Sequence, residues 1–130
     1  MVNCHLLKSL ILKKHSNYYK TIWKSYLGLA PLKPSALWSM ATVDSMACNK
    51  PVLAPNYACF PEMLKGRKSL LFNNKEEFLN KINFILDNSQ NYYQEGRYCF
   101  NLSKNYSDRV VAQKFIKIFS CLLNEPHKET

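Results

Sequence analysis

The chain reads as an α/β protein, a parallel sheet flanked by helices. Three observations lead there: apolar runs of strand length alternate with helical patterns, prolines interrupt the chain between them, and N-cap residues precede the helical stretches. At 130 residues and 47% hydrophobic composition it can bury one core, and it is too short for two full domains. The division expected is a leading strand or helix tail over 1–15, an α/β domain with C-terminal helices over 16–124, and a tail over 125–130.

Residues 2–14 are apolar without a clean period, and Lys8 with no small-residue cleavage site after it argues against a signal peptide. Ser16 offers an N-cap for "NYYKTIWKSYL", in which Tyr19, Ile22, Trp23 and Tyr26 share a helical face. "GLAPLKP" is a short buried strand or an extended segment, because Pro31 and Pro34 oppose helix. A helix follows from Ser39 or Thr42 to Cys48, stopped at Asn49, which tolerates the left-handed conformation.

"PVLAP" is a buried strand, "CFPEMLKG" a short helix opening near Pro61, and "KSLLF" another strand. Asn74 and Glu77 form a capping box for "KEEFLNKINFILD", with Phe78, Ile82 and Ile85 facing inward. "SQNYYQEGRYCFNLSK" is helical with a weak point at Gly96. A last helix, Ser107 to about Leu123, carries the stripe Val111, Phe115, Ile118 and Leu122.

The net charge of +9, from 18 Lys and Arg against 9 Asp and Glu, points to an anionic partner: nucleic acid, nucleotide phosphates or a membrane surface. The lysines are scattered, and "LKGRK" reads as a solvated turn. Five cysteines with no C-x-x-C spacing read as buried reduced thiols, and three isolated histidines give no metal-ligand pattern. No metal and no cofactor is expected. The expected location is cytoplasmic, and a basic helix on the inner membrane face fits the charge; the sequons at Asn101 and Asn105 are then coincidental.

In an open parallel sheet, ligands bind beyond the carboxyl ends of the strands, where helix amino termini point. Ser39, Met40, Ala41 and Thr42 stand at such a terminus, where N–H groups and hydroxyls suit a phosphate, and Asp44 follows within reach of two sugar hydroxyls. The same residues have a purely structural reading, with Ser39 and Thr42 as caps and Asp44 complementing the dipole.

"PSALWSMATVDSMACNKPVLAPNYACFPEMLKGRKSLLFNN" resembles the nucleotide-sugar-binding half of GT-B glycosyltransferases of the glycogen-synthase-like, retaining type. The matching pieces are Pro34-Ser35, "DSMACNKPVL" from Asp44 to Leu53, and Pro61-Glu62, and the similarity extends over about Tyr18 to Phe119. The resemblance implies a Rossmann-like sheet, part of a GT-B C-terminal domain, that binds a nucleotide sugar for hexosyl transfer. It makes Asp44 the acid that holds the nucleotide ribose and Ser39 to Thr42 the helix mouth near the diphosphate.

The chain departs from the family at Ala36, where the first acid of the pair stands, at "LWS" in place of Gly-Phe-Gly, and at Asn49 in place of Gly. Lys13 and Lys14 are weak counterparts of the basic pair that clamps the diphosphate. No catalytic residue is assigned, and the expectation is a truncated or split enzyme whose acceptor domain comes from a second chain.

Other groups have structural readings. Trp38, Met40 and Met46 read as core residues, with base stacking on Trp38 the alternative. Glu62 reads as a partner of its helix dipole. Tyr92, Tyr93, Arg97 and Tyr98 interleave aromatic and basic groups as single-strand nucleic-acid surfaces do, on a helix that is half-buried. The alternative function is accordingly a basic non-enzymatic module for nucleic acid or an acidic protein. Nucleic acid stands second to the nucleotide sugar as a partner, and a folded remnant without ligand stands third.

Overall fold

The structure is a computed structural model that describes residues 16–30 and 38–124. The expectations for residues 2–14, Pro31, Pro34 to Ala36 and 125–130 lie outside these, as do those for Lys13 and Lys14. In order, the elements are α1 (16–24), β1 (Gly28–Leu29), α2 (Met40–Ala47), β2 (Val52–Pro55), α3 (Phe60–Met63), β3 (Leu71–Phe72), α4 (Lys75–Leu86), α5 (Ser89–Ser103), a 3₁₀ turn (Lys104–Tyr106) and α6 (Asp108–Asn124).

The three strands form a parallel sheet in the order β1-β2-β3. Gly28 pairs with Val52 and Leu29 with Leu53; on the other side Ala54 pairs with Leu71 and Pro55 with Phe72. The central strand, β2, is buried along its whole length. That accounts for its continuous apolar run without alternation. Pro55 is tolerated there because it ends the strand, and the ladder is carried past it by the Asn56 N–H donating to the Phe72 carbonyl at 2.8 Å.

The core gathers Met46 of α2, Val52 and Leu53 of β2, Phe60 and Met63 of α3, Leu70, Ile85 of α4 and Cys99 of α5. Each of these side chains is fully buried. Burial of one as large as Phe60 contributes about 2–3 kcal/mol.

Local chemistry sets the helix ends. Ser39 caps α2 through its hydroxyl, and Asn49 leaves it at φ 60°, with Asn49 N–H on the Met46 carbonyl and Lys50 N–H on Ser45. These are the two hydrogen bonds of a Schellman ending. Lys65, at φ 51°, ends α3 in the same way, its N–H on Glu62 and that of Gly66 on Pro61. Asn74 caps α4 by accepting from Glu77 N–H. The return bond of the expected capping box is displaced by one residue, since the Glu77 carboxylate accepts from Asn73 N–H rather than from Asn74.

Several expectations are corrected. α5 runs unbroken through Gly96; a Cβ there would stand 2.7 Å from the Asn49 carbonyl oxygen, so this glycine permits α5 to pack against the end of α2. α1 ends at 24, where Ser25 turns its N–H and hydroxyl back to the Ile22 carbonyl, so Tyr26 is not on the helix; Trp23 and Tyr26 are exposed. On α6, Val111, Phe115, Ile118 and Leu122 are exposed instead of facing a core. Met40 is exposed and Trp38 half-exposed, edge-on to Tyr106 at 5.0 Å, leaving only Met46 of that group in the core. Cys121 is exposed, whereas Cys99 is buried.

Candidate functional site

A cleft opens beyond the carboxyl ends of the strands, the side on which open parallel sheets take their ligands. Here it measures about 610 Å³. Leu29 and Ala30 come from the end of β1, Leu53 and Pro55 from β2, Phe72 from β3 and Phe78 from α4, with Phe72 and Phe78 edge-to-face at 5.0 Å. Tyr57, Asn73, Asn74 and Lys75 supply its polar border.

That border is held in place by its own hydrogen bonds. Asn56 Nδ2 donates to Asn73 Oδ1 at 3.0 Å, tying the loop after β2 to the loop after β3. Asn73 N–H and Nδ2 both donate to Glu77 Oε2 at 2.9 Å. The two bonds hold the Glu77 carboxyl below its ordinary range, the backbone N–H first and the side chain second. Lys75, in the first turn of α4, is the cation among the described lining residues.

The helix mouth anticipated as a phosphate site is folded on itself. Thr42 N–H and Thr42 Oγ1 both donate to Ser39 Oγ, at 3.3 and 2.8 Å, and both residues are buried. Met40 and Ala41 project outward beside them. None of Ser39, Met40, Ala41, Thr42 or Asp44 is among the described lining residues of the cleft.

Asp44 faces α1 instead. Tyr18 donates its phenol to Oδ2 at 3.1 Å and Tyr19 donates to Oδ1 at 3.4 Å. Each carboxylate oxygen thus holds one hydroxyl, the pattern that a vicinal diol would present. The Tyr18 phenol is pushed up by burial, then by its bond to Asp44; the Tyr19 phenol is pushed up chiefly by the charge of Asp44. The Cys48 thiol, one turn on, is raised by burial and then by Asp44. No sequence signal linked Asp44 to tyrosines 25 and 26 positions earlier.

A second surface lies on the outer face of α5. Tyr93, Arg97 and Phe100 line a depression of about 500 Å³ with Asn49, and Lys104 Nζ sits 4.8 Å above the Phe100 ring. The spacing of 4, 3 and 4 residues puts aromatic and basic groups alternately along one stripe. The sequence displayed the alternation, but the half-buried Tyr92 and Tyr98 belong to the inner side.

Among the described residues no three His, Cys, Asp or Glu gather as a metal site, and no helix is long and apolar enough to cross a membrane. Fold and cleft define a small α/β unit with a ligand-sized opening at the carboxyl rim of a parallel sheet. Compared with protein families, curated proteins and solved structures, the chain matches none of them.

Proposed function

We propose that the chain is the nucleotide-sugar-binding part of a GT-B-type, retaining glycosyltransferase with a Rossmann-like fold, which takes part in hexosyl transfer together with an acceptor-binding domain. The observation that carries the reading is the cleft at the carboxyl ends of all three parallel strands, where open α/β sheets take their ligands. Its apolar floor suits a nucleobase, and Lys75 at the start of α4 suits a phosphate. None of Ser39 to Thr42 or Asp44 is among the described lining residues of the cleft, so in this reading Ser39 and Thr42 give up their mutual hydrogen bonds to meet the sugar-phosphate, and Asp44 exchanges the phenols of Tyr18 and Tyr19 for two ribose hydroxyls.

The test is calorimetric titration with uridine, adenosine and guanosine diphosphates and their glucose conjugates. Saturable binding is expected, about tenfold weaker for Lys75→Ala and again for Asp44→Ala, as the loss of one charged hydrogen-bonding partner implies. Binding untouched by Asp44→Ala but lost with Lys75→Ala would confine the ligand to the cleft. Absence of binding by all six compounds would end the reading.

The row Tyr93, Arg97, Phe100 and Lys104 favours a second reading, a module for single-stranded nucleic acid, in which bases stack on the rings and the cations track phosphates. Binding to a labelled oligonucleotide should then fall steeply with salt and collapse in Arg97→Ala. A salt-independent signal would exclude it.

A further inference from the structure

We infer that α6 is a membrane-surface helix that lies on anionic lipid. Every side chain from Val111 to Leu123 is exposed, although the helix carries Val111, Phe115, Ile116, Ile118, Phe119, Leu122 and Leu123. At 100° per residue these seven occupy an arc of about 160°. Phe115 and Phe119 stack on each other within it, centroids 6.4 Å apart. Among the described residues nothing covers this strip, and an apolar patch so continuous marks an interaction surface.

Charge says which occupant. Arg109 stands at one border of the strip, Lys114 at the other, and Lys117 on the opposite face; the acid Asp108 is on the same side as the strip but precedes it, in the first turn, where the helix dipole favours it. Cations flanking a strip of Phe, Ile and Leu match the layering of an anionic bilayer, phosphates outside and acyl chains beneath. The chain's net charge of +9 adds long-range attraction to the same surface. A second copy of the chain fits less well, because a symmetric pairing of these strips would bring the cationic borders of both helices together.

The experiment is co-sedimentation of the full chain with phosphatidylcholine vesicles, with and without a third of phosphatidylglycerol, for the native protein and for Phe115→Gln/Phe119→Gln. Both positions are exposed, so the variant keeps its core, and its circular dichroism melt should overlay the native one. The expected result is partitioning onto anionic vesicles, reduced by about tenfold or more in the double variant and weakened by Arg109→Gln/Lys114→Gln. Three results would overturn the inference: no partitioning at low salt, partitioning that the double glutamine variant retains, or a native dimer in sedimentation equilibrium that the variant dissolves while vesicles bind nothing. No nucleotide enters the assay, so its outcome is independent of the nucleotide-sugar reading.

Discussion

Arg67 and Glu95, 28 residues apart, meet in a two-pronged ion pair, Nε to Oε2 and Nη2 to Oε1, both at 3.1 Å. The Glu95 side chain is 5% exposed and that of Arg67 34%, so the acid is taken from water while the base reaches the surface. Ser69 donates a further hydrogen bond to Oε1 at 2.9 Å, and the Arg67 guanidinium lies 4.6 Å over the Tyr98 ring. Two more bonds run the same way: Tyr98 donates to the Leu64 carbonyl and Tyr106 to that of Met63. Together they clamp the connection between α3 and β3 onto α5 and its following turn, which fixes β3 at the edge of the cleft.

Removing one member of such a pair leaves a buried charge without its partner. Arg67→Ala should therefore lower stability by about 2–3 kcal/mol, below the value for a fully buried pair because Arg67 is partly solvated. Adding Glu95→Gln should restore part of the loss. Urea denaturation of the single and double variants checks both; equal stability of native protein and Arg67→Ala would show the pair to be energetically idle.

Gly96→Ala pits helix propensity against space. Alanine is favoured in a helix interior by about 1 kcal/mol. Its Cβ would stand 2.7 Å from the Asn49 carbonyl oxygen, a backbone atom that cannot swing aside. A net destabilisation of about 1–3 kcal/mol is expected. Asn49→Gly should act oppositely, by up to about 1 kcal/mol, because Asn49 sits at φ 60°. Thermal melts of the two variants should move in opposite directions.

The cysteines should separate by reactivity. Cys121 is exposed and should react with a thiol reagent at once, and Cys99 only on unfolding, since burial pushes its thiol up to about 12. A raised pKa means that folding favours the protonated form. The corresponding stability is complete below the unfolded value of about 9 and is lost as pH rises from there towards 12. Cys99→Ala should flatten that part of the stability profile while costing some packing.

Asp44→Asn keeps the shape of the acid and removes its charge. The phenol of Tyr19 should then titrate lower, near the ordinary value of about 10, because the carboxylate is the main cause of its rise. Tyr18 should move less, since burial comes first there. Ultraviolet titration of the phenolates reads both shifts; an unchanged curve would mean that the Asp44 contacts are absent in solution.

Local elements were legible because their signals act over a few residues. The Ser39 cap, the left-handed stop at Asn49, the apolar run of β2 and the Asn74 cap each turn on a backbone preference or a hydrogen bond spanning no more than six positions. The rim cleft was legible as a place, since strands separated by helices imply parallel pairing, but its lining was not. The expected residues of α2 lie elsewhere, and the residues that border the cleft come from the loop after β2, the loop after β3 and the start of α4.

Periodicity in turn identified apolar faces on α1 and α6 without naming what would cover them, and both carry exposed aromatics. A turn expected to be solvated holds Arg67, whose partner is a helix away. By itself, then, the sequence determined which segments are helix and which are strand, though not that α1 stops at 24, and that the strands run parallel, because those follow from short-range sterics, capping and the length of apolar runs. Only the tertiary structure decided which polar groups are satisfied by which, and which apolar faces stay open. Those outcomes depend on groups far apart in the chain meeting in space, and no local spacing encodes that.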